Sequence, residues 1–211
     1  MTESESAPIR VMVADDHPTL RYGIAAILEL QADMTLVGEA ENGREAVSTF
    51  LNLRPDIVLM DLQMPVMGGV EAIAEIRKVA RNARIIVLTT YAGDAQAARA
   101  MKAGASGYLL KSAVRKEMLD IIRSVHNGKR YIPSEIAQEM ALHAGDEPLS
   151  PREIAILDLV ASGNANKAIA WHLSISEETV KGHMRSIFSK LEVNDRTHAV
   201  TAALRRGVIE L

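Results

Sequence analysis

Short apolar runs alternate with stretches of helical periodicity over most of the first half of the chain. The runs contain β-branched residues and are too short for helices, so they predict strands, whereas apolar residues spaced by three and four predict helices. The predicted strands cover Ile9–Ala14, Thr35–Ala40, Asp56–Met60, Arg84–Leu88 and Tyr108–Leu110. Strands buried on both faces and separated by helices form a parallel sheet with helices on both sides. The sequence therefore predicts an α/β domain over residues 8–127.

Residues 149–211 have helical periodicity throughout. Ser150–Glu153 predicts a strong helix start, with Ser as N-cap, Pro in the first turn and Glu three residues after the cap. The other predicted helices cover residues 166–173, 176–191 and 197–206. Two helices joined by a very short turn, the second carrying Lys and Arg, are typical of a helix-turn-helix. We expect an all-α helix-turn-helix domain here, and a linker with one short helix over residues 128–148.

Composition excludes several classes of protein. The chain has no cysteine, which removes disulfide scaffolds, thiol nucleophiles and Cys-ligated metal sites. Hydrophobic residues make up 48% and charged residues 24%, as in an ordinary globular chain, so a mostly disordered protein is excluded. No apolar run approaches the ~18 residues that span a membrane, and the N-terminus lacks the apolar core of a signal peptide. We therefore expect a cytoplasmic protein without a membrane partner.

Positive charge is local to one part of the second domain. The chain as a whole has a net charge of −3. The segment 181–206, in contrast, carries Lys or Arg at six positions and acids only at Glu192 and Asp195. A local basic surface of this kind is what docking to nucleic acid requires.

Polar side chains follow the predicted strands at the points where they end. Asp15 and Asp16 follow the first strand, Asp61 the third, Thr89 the fourth and Lys111 the fifth. Ligands of an open α/β sheet bind beyond the carboxyl ends of the strands, so these side chains should share one crevice. Three close carboxylates repel one another, and a set of oxygen ligands with open positions suits Mg²⁺. Such a site could take up a phosphoryl group by attack of an Asp61 oxygen on phosphorus, with Lys111 holding a transferred oxygen.

Several motifs resemble those of a known family. The stretches VADDHP, PDIVLMDLQMPVMGG, IIVLTTY and AGASGYLLK resemble the receiver domain of two-component response regulators. The stretch that runs from LSPREIAIL to VNDRTHAV resembles the LuxR-type helix-turn-helix. Together they are similar to the NarL/FixJ class of response regulators. The resemblance implies a flavodoxin-like, five-stranded parallel sheet of order 2-1-3-4-5, followed by a four-helix DNA-binding domain.

The same resemblance implies roles for individual residues. Asp61 would be the phosphoacceptor, and Lys111 would contact the phosphoryl group. Mg²⁺ would be bound by Asp61, directly by Asp16, largely through water by Asp15, and by the main-chain carbonyl of Gln63. Thr89 and Tyr108 would form a switch pair, in which Thr89 turns toward the phosphoryl group and Tyr108 rotates inward.

On the recognition helix, Lys181, Gly182 and Arg185 share one face, and the family places base and groove contacts there. The positions better suited to phosphate contacts are Asn166, Lys167, Thr179 and Lys190. Gly182 departs from what groove readout requires because it offers no side chain. Trp171 stands where the family commonly has a polar residue, and either a surface contact or partial packing would explain it.

The expected partners are a sensor histidine kinase, double-stranded promoter DNA, a second copy of the chain paired through the last helix, and RNA polymerase as a further candidate. We expect no enzymatic activity beyond Mg²⁺-dependent phosphorylation and dephosphorylation of Asp61 itself. The sequence argues against two other classes. A phosphatase with an aspartyl nucleophile needs a second acid two residues later, where this chain has Gln63. A ligand-sensing quorum regulator needs a large cavity in its first domain, which here offers the acidic pocket instead.

Overall fold

The computed structural model describes residues 7–90, 93–143 and 145–209. The chain folds into two compact units, the first made mostly of residues up to Ser134 and the second mostly of residues from Glu135 onward. The predicted end of the linker helix includes Ala144, and the predicted second domain includes residues 210–211. These positions lie outside the described residues.

The first unit is built on a parallel sheet of five strands. The strands are β1 (Ile9–Ala14), β2 (Met34–Ala40), β3 (Ile57–Asp61), β4 (Arg84–Thr89) and β5 (Gly107–Leu110). Their order is β2-β1-β3-β4-β5, and every neighbouring pair is parallel. This order confirms the predicted flavodoxin-like topology. The carboxyl ends of β1 and β3 are neighbours in it, so the residues that follow these two strands are brought together.

Helices cover the sheet and connect its strands. They are α1 (Pro18–Glu29), α2 (Gly43–Leu53), α3 (Gly69–Val79), α4 (Asp94–Ala103) and α5 (Val114–His126), with a 3₁₀ turn at Lys111–Ala113. Asn42 caps α2 as predicted, because its side chain accepts a hydrogen bond from the Glu45 main chain. The Glu45 carboxylate, however, accepts from the main-chain N–H of Glu41 rather than from the cap residue.

The core of the first unit lies on the two faces of the sheet. Residues 11–14, 57–60 and 85–88 have no exposed surface, as expected for strands covered by helices on both sides. Helix α5 contributes the predicted stripe of Met118, Ile121, Ile122 and Val125. The buried apolar centres of β1, β3 and β4 therefore support the polar groups at the carboxyl edge of the sheet.

The second unit is helical. Its helices are α6 (Ser134–Leu142), α7 (Pro151–Ala161), α8 (Asn166–His172), α9 (Glu177–Lys190) and α10 (Arg196–Arg205). Ser150 and Glu153 form the predicted capping box at the start of α7. Ser176 caps α9, and Asp195 caps α10, which therefore begins one residue earlier than predicted. The helical class predicted for this unit is confirmed.

Glu153 ties the helices of the second unit together. Its carboxylate accepts hydrogen bonds from the Ser186 hydroxyl at 2.6 Å and from Lys190 Nζ at 3.0 Å, both on α9. The Ser150 main chain donates to it at 2.7 Å. Burial alone would raise the pKa of Glu153, but these bonds outweigh burial and lower it to about 2. The charged carboxylate thus joins α7 to α9.

Candidate functional site

Acidic side chains gather at the carboxyl edge of the sheet in the first unit. Asp15 and Asp16 follow β1, and Asp61 is the last residue of β3. Together with the adjacent His17, they offer ligand atoms that all lie within 4.8 Å of one another. Asp15 and Asp61 are buried. The structure thus brings together the carboxylates that the strand pattern predicted to converge.

Lys111 joins the two buried carboxylates. Its Nζ lies 2.8 Å from Asp15 Oδ2 and 2.7 Å from Asp61 Oδ2. Burial alone would lower the pKa of Lys111, but the hydrogen bonds to both carboxylates outweigh it and raise the pKa. For Asp61, burial raises the pKa, the charge of Asp15 adds to this effect, and the hydrogen bond from Lys111 opposes it.

The donor set fits a hard divalent cation. Three carboxylates against one ammonium leave two negative charges in the cluster. Oxygen ligands with room for water are what Mg²⁺ prefers in proteins, and a divalent charge would balance the excess. Asp15, Asp16 and Asp61 are the residues placed to hold such an ion.

Arg21 and His17 support this cluster, and neither was predicted from the sequence. The buried Arg21 guanidinium donates to the main-chain oxygen of Asp15 at 2.7 Å and also contacts Glu39 and Glu41 on the β2 side. The main-chain N–H of His17 donates to Asp15 Oδ1 at 2.9 Å. The sequence signal that could have found Arg21 is its position on α1. It stands three residues before Ile24 and seven before Leu28, and therefore on the apolar face of the helix.

The loop after β3 is shaped around Asp61. A Cβ atom at Gly69 would lie only 2.0 Å from the main-chain oxygen of Asp61, so only glycine fits there. The Gln63 main-chain N–H donates to Asp61 Oδ1 at 3.2 Å. Within the same loop, Val66 has a φ of 67°, a left-handed conformation that β-branched residues rarely adopt. The loop thus holds the Asp61 carboxylate in place at a cost in backbone strain.

Thr89 lies on β4 and Tyr108 on the neighbouring β5, where it pairs with Val87, two residues before Thr89. Both Thr89 and Tyr108 are buried. Their side chains are hydrogen bonded to each other. Burial raises the pKa of Tyr108 to about 12, an effect that the bond to Thr89 opposes. Tyr108 is therefore already turned inward in this structure, whereas the predicted switch places that rotation after phosphorylation.

The predicted groove-facing residues of the second unit lie on one exposed face of α9. Lys181, Gly182 and Arg185 are all exposed. Both basic side chains contact Glu178, Lys181 at 3.5 Å and Arg185 at 3.2 Å. Exposed ion pairs of this kind contribute little energy, so the two cations are available to a stronger anionic partner. No atom lies within 4 Å of a Cβ built at Gly182, so packing does not explain this glycine.

The predicted phosphate-contacting residues are in different surroundings. Lys167 is exposed. Asn166 accepts a hydrogen bond from Arg196 at 3.1 Å, and the Thr179 hydroxyl lies 2.8 Å from that of Ser176. Lys190 has only 14% of its side chain exposed and contacts Glu147 and Glu153. A contact to DNA through Lys190 stays a prediction, and the structure gives this residue a role in joining α7 to α9.

Comparison with known proteins identifies the family. Residues 11–123 match the response regulator receiver domain, and residues 147–203 match the LuxR family of bacterial regulatory proteins. The chain belongs to the two-component response regulators. The resemblance drawn from the motifs is thus confirmed. This response regulator has a DNA-binding output domain of the LuxR type. Its first domain is a receiver, which argues against the two alternatives, a phosphatase and a ligand-sensing quorum regulator.

Full-length relatives share both domains. The response regulator is 40% identical to the transcriptional regulatory protein LiaR of Bacillus subtilis over 209 residues, which cover 95% of this chain and 99% of LiaR. It is 37% identical to the response regulator protein VraR of Staphylococcus saprophyticus over 208 residues, 96% of this chain and all of VraR.

Solved structures give the same result. The response regulator ChrA of a heme-sensing two-component system is 37% identical, with a TM-score of 0.57, and the match covers 97% of this chain and 100% of ChrA. RcsB of Salmonella enterica serovar Typhimurium, solved on the promoter P1flhDC with the phosphomimetic BeF₃⁻, is 27% identical. Its TM-score is 0.69, and the match covers 92% of this chain and 97% of RcsB.

No helix among the described residues of the present chain is long and apolar enough to cross a membrane.

Proposed function

We propose that this response regulator receives its signal as a phosphoryl group on Asp61, donated by a sensor histidine kinase. An Asp61 carboxylate oxygen attacks phosphorus, the bond from phosphorus to the donor histidine nitrogen breaks, and that nitrogen keeps the electron pair. The observation that carries the proposal is Lys111 Nζ at 2.7 Å from Asp61 Oδ2, because this ammonium is placed to hold an oxygen of the transferred group. Beyond this self-modification the chain acts as a regulator rather than an enzyme.

A magnesium ion completes the proposed site. Asp15, Asp16, Asp61 and the main-chain carbonyl of Gln63 would hold it, and its charge would neutralise the oxygens of the phosphoryl group. Arg21 acts through Asp15, because its hydrogen bond to the Asp15 main-chain oxygen fixes the end of β1. His17 adds an imidazole whose Nδ1 lies 2.6 Å from Asp16 Oδ1.

Thr89 and Tyr108 are the proposed switch pair. Phosphorylation adds roughly −1.5 to −2 charges and three acceptor oxygens next to Asp61. The Thr89 hydroxyl would exchange its hydrogen bond with Tyr108 for one to a phosphoryl oxygen. Loss of that bond at the buried Tyr108 would change the balance between two arrangements of the surface beside β5.

The proposed output is binding to promoter DNA as a dimer. Lys181, Gly182 and Arg185 would face the major groove, and Asn166, Lys167, Thr179 and Lys190 would contact phosphates. The promoter-bound RcsB structure supports this proposal, since that relative matches 92% of the present chain. Phosphorylation would promote pairing of two copies of the chain. RNA polymerase is a further proposed partner, and the proposed location of the protein is the cytoplasm.

The proposed domain limits are residues 8–127 for the receiver, 128–148 for the linker and 149–211 for the DNA-binding domain. The family matches over 11–123 and 147–203 support them. Helix α6 lies inside the proposed linker.

Labelling with acetyl phosphate tests the input. The wild-type chain should gain one phosphoryl group in Mg²⁺ and little or none in EDTA, as read by intact mass. Asp61→Asn should abolish the gain. Asp120→Asn, a matched change on α5 where the side chain is 87% exposed, should leave it intact. Labelling that persists in Asp61→Asn would overturn the assignment of the acceptor.

Footprinting of promoter DNA tests the output. Lys181→Ala and Arg185→Ala should lose the footprint while labelling by acetyl phosphate stays normal. Lys116→Ala removes an exposed cation from α5 in the receiver unit and should keep the footprint. An unchanged footprint in both α9 variants would refute the assignment of the groove-facing helix.

A further inference from the structure

A cleft lies at the amino edge of the receiver sheet, opposite the acidic cluster. Its volume is about 380 Å³. Arg84 at the start of β4, Ser106 just before β5, Arg77 near the end of α3 and the segment 128–130 after α5 all line it. The described lining is completed by Asn82, Ala83 and Val125. Since the acidic cluster occupies the carboxyl ends of the strands, this cleft is separate from the phosphorylation site.

Four cations line the cleft: Arg77, Arg84, Lys129 and Arg130. None of the lining residues that the structure describes is acidic. Arg21 and Lys111, two cations with largely buried side chains elsewhere in the same unit, each contact two carboxylates. The cleft thus collects positive charge that the described part of the fold does not neutralise.

Arg77 is held in a fixed position at the cleft. Its Nε donates to the main-chain oxygen of Gly104 at 2.9 Å, and its Nη2 lies 3.4 Å from the Ser106 hydroxyl. A further bond runs to the main-chain oxygen of Arg81. Partial burial and the nearby charge of Arg130 both lower the pKa of Arg77. All its partners are neutral, so its positive charge remains uncompensated.

We infer that this cleft binds a phosphate-bearing small anion of the size of pyrophosphate or a mononucleotide. Guanidinium groups recognise phosphate oxygens through paired N–H donors, a role that falls to Arg84 and Arg130. Arg77 already donates to main-chain oxygens and contributes mainly its charge. Two or more cations around one cleft favour a multiply charged anion. Asn82 and Ser106 offer neutral donors beside them. The volume lies in the range of small-molecule sites. Binding would relieve the repulsion between Arg77 and Arg130.

Isothermal titration of the full-length chain tests the inference. The probes are pyrophosphate and ATP, each in EDTA, so that neither can bind through Mg²⁺ at the acidic cluster. Saturable binding of pyrophosphate is expected, and ATP should bind as well because it presents the same phosphate oxygens to the cations of the cleft. Lys129→Gln/Arg130→Gln changes two exposed side chains and should weaken pyrophosphate by about tenfold or more, as expected for the loss of charge-assisted bonds.

The matched control is Arg44→Gln/Lys116→Gln, which removes the same charge from exposed positions on α2 and α5 that do not line the cleft. Its affinity for pyrophosphate should stay within about twofold of the wild type, because only general charge is lost. Equal weakening in the two double variants would overturn the inference, since it would show a diffuse charge effect. Failure of both probes to bind saturably would overturn it as well.

Discussion

Replacing Glu153 by glutamine removes the charge that joins α7 to α9 in the DNA-binding unit. Only 5% of this side chain is exposed, and it accepts bonds from Ser150, Ser186 and Lys190. Glutamine has nearly the same size, so the variant tests the charge with little change in packing. Its amide group can still accept one bond but presents an N–H₂ group where the carboxylate accepts others.

The size of the effect follows from the pKa of Glu153, which falls from 4.5 to about 2. At 1.36 kcal/mol per pKa unit, the charged form stabilises the unit by about 3 kcal/mol. Because the folded pKa lies below the unfolded one, this stability is present above about pH 5 and is lost as the pH falls toward 2. We therefore expect Glu153→Gln to lower the unfolding free energy of the second unit by about 3 kcal/mol at pH 7.

Amide hydrogen exchange in the full-length chain measures this loss separately for α7 and α9. The difference between wild type and Glu153→Gln should shrink as the pH is lowered from 5 to about 3, because the unfolded wild-type chain then takes up a proton at this carboxyl while the folded one stays charged. Glu192→Gln, an exposed control in the same unit, should change protection by less than about 0.5 kcal/mol. A difference that is small at pH 7, or constant with pH, would refute the role of the charge.

Three further substitutions have distinct expected outcomes. Gly182→Ala should stabilise α9 by about 1 kcal/mol in hydrogen exchange, because a Cβ meets nothing within 4 Å in the free chain. It should weaken promoter binding in gel shifts, since the added Cβ would stand between the α9 backbone and the major groove; unchanged binding would show that this backbone does not approach the DNA closely. Val66→Gly should raise the unfolding free energy of the receiver by about 0.5–1 kcal/mol in urea melts, because glycine adopts a φ of 67° without strain. The valine side chain is 75% exposed, so little packing is lost. A decrease in the unfolding free energy would contradict strain at this position. Arg21→Met should slow acetyl-phosphate labelling because the Asp15 main chain loses its bond, and a normal rate would show that Arg21 is not needed to position it.

The fold was largely predictable because local and global signals agree. Buried parallel strands are short, continuous apolar runs, and Ile9–Ala14 was predicted with the bounds that the structure has. The convergence of Asp15, Asp16 and Asp61 was predictable from the parallel arrangement of the strands, since parallel strands end at the same edge. Strand ends were less certain: β3 and β4 each continue one residue further, to Asp61 and Thr89, because the ladder hydrogen bonds extend into the polar residues.

What sequence could not supply were contacts between distant side chains. Arg21 meets Glu39 and Glu41 eighteen and twenty residues away, and no local pattern encodes such a pair. The same holds for Lys190, a predicted DNA contact whose bond to Glu153 spans 37 residues. The inward position of Tyr108 depends on packing between strands and was equally out of reach.

The central claim is that Asp61 carries the phosphoryl signal. Reduction of the acetyl-phosphate-treated chain with borohydride converts an aspartyl phosphate to homoserine, and peptide mass spectrometry then locates the change. Homoserine is expected at position 61 alone, in samples treated with Mg²⁺. Conversion at another aspartate, or none at position 61 in a chain that gained a phosphoryl group, would contradict it.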